Sequence, residues 1–147
     1  MNQELKKQER DILRSLSPLL VSTSKALHCS IIEAINKNEI DALIFLCNVT
    51  YATLFFVSAK TDITNQHLEE ASNLIVKITE ELNYIKQTTP NHVKKIKNNI
   101  VIETREVYLP WNKEIEKLRT QIIRLMSTTK KFCLQCGLNF DQVYEEA

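Results

Sequence analysis

The chain has 147 residues, of which 44% are hydrophobic and 25% are charged, and its formal net charge is +1. This balance is typical of one soluble globular domain and disfavours a disordered chain, a strongly basic nucleic-acid module and an acidic tail. The whole sequence has one glycine and three prolines. Sandwiches, barrels and phosphate-cradling loops need glycine in their turns, so we expect a single all-α domain over residues 1–147.

The N-terminal third is expected to form two amphipathic helices. The opening stretch, MNQELKKQERDILRSL, interleaves charged and apolar residues, unlike a signal peptide, so a cytoplasmic location with reduced cysteines is expected. A first helix is predicted from Gln3 to Leu16. Ser17 and Pro18 fit an N-cap followed by proline at the first helical position, so a second helix is predicted from there to Asn36.

Residues 42–59 form the most apolar segment, ALIFLCNVTYATLFFVSA, and they contain no charged residue. Asn38 is a candidate N-cap, so a third helix is predicted from about Glu39 to Ala59. A helix that is apolar nearly all round is typical of the centre of a bundle, and we expect this helix to be buried. A membrane span is the alternative, although polar residues interrupt the segment and no cluster of Lys or Arg flanks it.

A regular apolar spacing marks the fourth helix, expected from Asn65 to Gln87 with Asp62 or Thr64 as its cap. Its apolar residues alternate steps of three and four, as in an a/d seam: Leu68, Ala71, Ile75, Ile78, Leu82 and Ile85. Pro90 is expected to start a fifth helix that ends near Tyr108. The β-branched stretch at residues 100–102 leaves a short strand as the alternative there.

Pro110 is expected to open a sixth helix that ends near Cys136 and repeats the same seam spacing. Gly137 follows where a left-handed C-cap would fall, and Asn139 can cap a last short helix over residues 140–146. The pattern predicts an antiparallel bundle of about six helices with the apolar segment as its buried centre.

Cys133 and Cys136 form a CxxC motif directly before Gly137. Two thiolates at this spacing can hold one zinc ion, and His28 or Cys29 is the candidate source of a further ligand. A redox pair is a second alternative, although a helix C-terminus raises a thiol pKa. The simplest interpretation is that both cysteines pack as small apolar residues.

Glutamates occur in close pairs: Glu69 and Glu70, Glu80 and Glu81, Glu114 and Glu116. Together with the tail from Gly137 to Glu146, they resemble the all-α nucleotide pyrophosphohydrolases. In that family, EExxE and ExxD motifs project inward to hold metal and phosphates; neither motif occurs in these helices. The resemblance implies a Mg²⁺-dependent pyrophosphohydrolase as one alternative function, and solvated helix faces as the other interpretation.

Two further clusters are candidates for contact with a partner. Lys94, Lys95 and Lys97 form the densest basic patch, but aromatic residues are not interleaved with them, which disfavours nucleic acid as the partner. Tyr108, Leu109 and Trp111 surround Pro110. Aromatic residues at a helix start either plug the end of a bundle or anchor an interface.

The inward positions of the predicted helices are occupied by Leu, Ile, Val and Phe, whereas a reaction site needs polar groups that converge. The sequence therefore favours a non-catalytic protein that acts through protein–protein contacts or self-association. A small regulator, an adaptor, a chaperone-like protein or an immunity-type protein would fit. A nucleic acid and a membrane are disfavoured as partners, and no cofactor is expected unless the CxxC motif binds zinc.

Overall fold

A computed structural model describes the backbone of residues 2–36, 39–61, 65–98 and 104–147. It describes the side chains of residues 7–31, 33–34, 39–61, 65–87 and 113–147. In this part of the chain every regular element is helical. The helices are α1 (Asn2–Asn36), α2 (Ile40–Lys60), α3 (Gln66–Asn98), α4 (Thr104–Gln135) and α5 (Phe140–Glu146).

The four long helices form a ring in which each helix packs on the next, and α4 closes the ring against α1. Over the described residues, α1 makes no close backbone approach to α3, and α2 makes none to α4. The short α5 packs on α1 and α4. The all-α bundle predicted from the sequence is therefore confirmed, but five helices replace the expected six.

The expected break at Pro18 is wrong, because α1 runs without interruption from Asn2 to Asn36 with Pro18 inside it. Proline in a helix interior costs about 3 kcal/mol. The apolar face continues on both sides of the proline, with Leu13 and Leu16 before it and Leu20 after it, and all three side chains are buried. Each buried leucine contributes roughly 1.5–3 kcal/mol, so packing outweighs the local penalty.

The other two proline breaks are also wrong. Helix α3 continues past Pro90 to Asn98, and α4 begins at Thr104, before Pro110. The cap of α3 is Asn65, whose Oδ1 accepts hydrogen bonds from the backbone N–H groups of His67 and Leu68. The candidate caps Asp62, Thr64 and Asn38, and the predicted β-branched piece at residues 100–102, lie outside the described residues.

The two predicted seams form the core. All six seam residues of α3 are buried, and on α4 the same holds for Leu118, Ile122, Leu125, Thr129 and Phe132. The turn after α4 also follows the prediction. Gly137 adopts a φ of 76°, and the N–H of Leu138 bonds the carbonyl of Cys133, which closes the helix end. Asn139 then caps α5 by accepting from the N–H of Gln142.

The expectation that the apolar segment is a buried central helix is wrong. Helix α2 occupies one position in the ring and has only α1 and α3 as helical neighbours within the described part of the chain. Two neighbours cover about half of a helix surface, so a helix that is apolar all round must leave apolar residues exposed. Several of the largest side chains of α2 do face solvent: Phe45, Val49, Tyr51, Phe55 and Phe56.

Candidate protein interface on helix α2

The outward surface of α2 carries the largest group of exposed aromatic side chains in the described part of the chain. Phe45 is 70% exposed, Phe55 63% and Phe56 60%. Single exposed apolar residues are common on soluble proteins, but contiguous apolar patches of several hundred Å² mark contact surfaces. Three phenylalanines on one helix make this surface the strongest candidate for a functional site.

The exposed residues follow a regular helical spacing. Steps of three, four, three, four and three residues connect six positions that all face solvent, and we call them the outer seam: Ala42, Phe45, Val49, Ala52, Phe56 and Ala59. This is the a/d repeat by which one helix packs on another. The spacing therefore suits a helical partner.

The opposite face of α2 carries a second seam, which packs against α1 and α3. We call it the inner seam, and its members are buried: Leu43, Cys47, Thr50 and Leu54. The hydroxyl oxygens of Thr50 and Thr23 lie 2.7 Å apart, and each also lies within hydrogen-bond distance of a carbonyl one turn earlier in its own helix. Because a hydroxyl has one proton, one threonine donates to the other, which donates to its own carbonyl. Burial raises the pKa of Cys47 to about 11, with a smaller opposing effect from a hydrogen bond to Thr79.

A shallow groove of about 290 Å³ extends the apolar surface towards α3. Tyr51 and Phe55 line one side, with their rings 6.3 Å apart and nearly parallel, while Leu68 and Ser72 line the other. Phe55 lies beside the outer seam and is not a member of it, and its apolar neighbours are the groove residues Tyr51 and Leu68.

The charged residues of α2 lie at its two ends. Glu39 is the exposed N-cap residue, and Asp41 forms an ion pair of 2.6 Å with Lys86 of α3. At the other end, Lys60 places its ammonium group 5.7 Å from the centre of the Phe56 ring. The helix thus has acidic residues where it begins and a basic residue where it ends, with none between.

The CxxC cysteines lie at the end of α4 and are almost completely buried. Burial raises the pKa of both thiols, and hydrogen bonding to Ser17 partly opposes this. Cys29 lies elsewhere, 3.6 Å from the hydroxyl of Tyr144. Within the described residues, no group of three or more His, Cys, Asp or Glu side chains could hold a metal ion. Zinc at Cys133 and Cys136 stays a prediction.

Of the paired glutamates, Glu81 and Glu114 meet between α3 and α4. Burial, followed by a hydrogen bond and the negative charge of Glu81, raises the pKa of Glu114, and the positive charge of Lys117 opposes this. Lys117 also lies 3.5 Å from Glu81. The three side chains form a small, partly exposed network between the two helices, away from the apolar seam on the inward face of α3.

The remaining predicted contact residues lie in parts of the helices whose side chains are not described. Lys94, Lys95 and Lys97 belong to the last turns of α3. Tyr108, Leu109 and Trp111 belong to the first turns of α4. Both sets stay predictions.

Helix α2 is the one described helix that is long and apolar enough to cross a membrane. The core helix of a soluble protein passes the same test of length and composition, and one third of the most apolar 18-residue window of α2 is buried inside the bundle.

In comparisons with known proteins, no family model, no curated protein and no solved structure matches this chain.

The outer seam was not predicted from the sequence, although its spacing is present there. Within residues 42–59 the inner and outer seams are superimposed, so the segment shows no polar side and was interpreted as buried on all sides. The deciding information was the number of neighbours, which only the structure provides: in a ring of four long helices each helix has two, and an apolar repeat on both sides exceeds what they can cover.

Proposed function

We propose that this protein acts through protein–protein contact, and that the outer seam of α2 is the contact surface. The observation that carries the proposal is the exposure of Phe45, Val49 and Phe56 at a/d spacing on one helix face. We infer that the partner surface is an α-helix with an apolar seam of its own, because a helical partner can fill the spaces between residues at this spacing.

The course of the bundle supports a continuous contact surface. We infer that neighbouring long helices run in opposite directions. Asn65 near the start of α3 bonds Gln135 at the end of α4, whereas Glu81 lies beside Lys117 much earlier in α4. In such an up-and-down bundle α2 keeps one position in the ring along its whole length. Its outer seam is then accessible from the first turn to the last.

The pattern of charge favours a protein partner over a lipid bilayer. Acidic residues, Glu39 and Asp41, lie at one end of the seam, and Lys60 is the basic residue at the other end. Surface-binding membrane helices instead present several Lys or Arg residues along their polar face. In addition, the inner seam of α2 is already committed to the bundle through Leu54 and the Thr50–Thr23 hydrogen bond.

A photo-crosslinking experiment tests the proposal. Benzoylphenylalanine replaces Phe45 in the full chain, and in a matched control it replaces Leu134, which is 80% exposed on α4. We expect irradiation to give a discrete protein adduct from position 45 that is lost when Phe56→Ser is added. Equal adduct yields at the two positions, or flotation of the unmodified protein with neutral lipid vesicles, would contradict the proposal.

A further inference from the structure

The outer seam is nearly palindromic along the helix. Read from either end, an alanine is followed by a phenylalanine: Ala42 and Phe45 at the start, Ala59 and Phe56 at the end. The two central positions hold Val49 and Ala52. A two-fold interface needs a surface that is complementary to itself, with residue i contacting residue j while j contacts i. A palindromic seam on a straight helix meets this requirement when two copies pack in opposite directions.

Resting on the proposed function, we propose that the partner is a second copy of this chain, and that two α2 helices pack antiparallel through their outer seams. The two-fold axis then lies between Val49 and Ala52. Phe45 of each copy faces Phe56 of the other, and the terminal alanines face each other and let the helices approach closely.

The charges at the helix ends fit the same arrangement. In heptad terms Glu39 and Lys60 both occupy e positions, and in an antiparallel pair the e positions of the two helices lie on the same side. The exposed Glu39 of one copy therefore lies close to Lys60 of the second copy, and the contact occurs twice by symmetry. In a parallel pair the two Glu39 residues would lie at the same end but on opposite sides of the seam, and neither could reach Lys60, which would lie at the far end of both helices.

The exposed area is sufficient for a specific interface. At the observed exposures, Phe45, Phe55 and Phe56 together present on the order of 400 Å² per copy, given ~200 Å² for each whole side chain. Two copies contribute about 800 Å² from these side chains alone, and a specific interface buries upwards of ~1,000 Å² in total. Val49 and the three seam alanines supply the remainder.

Sedimentation equilibrium of the purified full chain is the first test. We expect the mass to rise with concentration from 17.1 kDa towards twice that value. The double variant Phe45→Ser/Phe56→Ser should weaken dimer formation at least 100-fold, while the control Leu134→Ser on α4 leaves it unchanged. A mass of one chain at every concentration overturns the dimer. If the photo-adduct at position 45 then contains a different protein, the proposed contact surface still stands; if no adduct forms, both proposals fail.

Disulfide trapping tests the direction of packing. In a Cys29→Ser background, which removes the exposed thiol, Ala52→Cys places a cysteine near the two-fold axis and should give a covalent dimer under mild oxidation. Ala42→Cys is the matched control, because an antiparallel pair separates its two copies by about 25 Å along the helix axis. Efficient dimers from both variants would show a parallel pair and overturn the proposed arrangement.

Charge reversal tests the contact between the helix ends. Glu39→Lys alone should weaken the dimer several-fold, because it places a lysine beside Lys60 of the second copy. Glu39→Lys combined with Lys60→Glu should restore the affinity of the unmodified chain. Both substitutions oppose the dipole of α2, so a purely structural effect would grow in the double variant, and that result would overturn the contact.

Discussion

The two faces of α2 carry the same spacing in opposite surroundings. Leu43, Cys47, Thr50 and Leu54 advance by four, three and four residues, and so do Phe45, Val49, Ala52 and Phe56, two positions further along. The first set is buried in the bundle and the second faces solvent. A residue two positions along a helix points about 200° away, so each face has its own seam.

The fold requires apolar residues on the inner seam of α2 but not on the outer seam. The inner seam holds α2 to α1 and α3, so it must be apolar and well packed. The outer seam faces solvent, with Phe45 70% and Phe56 60% exposed, so its phenylalanines contribute little packing energy to the isolated bundle. On α3, by contrast, charged residues such as Glu80 and Lys77 occupy the solvent side. This difference between the two faces supports the proposed association through the outer seam.

The largest expected effect distinguishes the faces directly. Leu54→Ala removes a fully buried side chain from the inner seam and should lower the free energy of unfolding by about 2–5 kcal/mol. Phe56→Ala on the outer seam should change the stability of the monomer by no more than about 0.5 kcal/mol. Urea unfolding at concentrations below dimer formation measures both, and equal losses would mean that the two faces are equally part of the core.

A second effect is expected at high pH and belongs to the inner seam alone. Burial raises the pKa of Cys47 to about 11, above the ~8.5 of a thiol in an unfolded chain. The folded state holds this proton more tightly, so the resulting stability is complete below pH ~8.5 and is lost as the pH rises towards 11.

Comparison of cysteine variants can show whether this loss of stability at high pH comes from Cys47. The free energy of unfolding should fall by up to about 3 kcal/mol over that interval because of this one group. Cys47→Ala should show a shallower decline, while Cys29→Ala, at an exposed position, should follow the unmodified chain. Urea midpoints between pH 8 and 11 provide the test, and parallel curves for all three proteins would contradict the assignment to Cys47.

A smaller effect is expected at the hydroxyl pair that joins the inner seam to α1. Thr50→Val should cost about 1 kcal/mol, because it removes the 2.7 Å hydrogen bond to Thr23 from a buried site. Thr23→Val should cost less stability when it is made in the Thr50→Val variant than in the unmodified chain. In that variant the hydroxyl of Thr23 has already lost its partner on α2. A double-mutant cycle by urea unfolding measures this coupling, and strictly additive losses would count against it.

The smallest effect is expected at the ion pair between Asp41 and Lys86. Both side chains are more than half exposed, and exposed pairs contribute little because water screens them. Asp41→Asn should change the stability of the monomer by no more than about 0.5 kcal/mol, as measured by urea unfolding. A loss above 1 kcal/mol would show that the end of α2 depends on this contact.

Local patterns predicted several features that the structure confirms. The a/d spacing identified the core residues of α3 and α4, because burial of one stripe is what stabilises an amphipathic helix. The single glycine identified the end of α4, since a φ of 76° is readily adopted only by glycine. Asn139 identified the start of α5 by its capping side chain.

The continuation of the helices through the three prolines could not be predicted in this way. A proline changes local energy by about 3 kcal/mol, but whether the helix continues depends on the apolar contacts on both sides. For α1 these contacts are Leu13, Leu16 and Leu20 packed in the core, and the sequence does not show which helices supply them. The burial of α2 was misjudged for the same reason.

By itself, the sequence determined that this protein is helical and which stripes of α3 and α4 face inward, because both follow from the repeat of apolar residues along a single helix. Only the tertiary structure decided which half of α2 is buried. Both of its faces have the same spacing of seam residues along the chain. They differ in burial because α1 and α3 pack against one face and not the other. Burial depends on neighbours, and neighbours are set by the packing of the whole bundle.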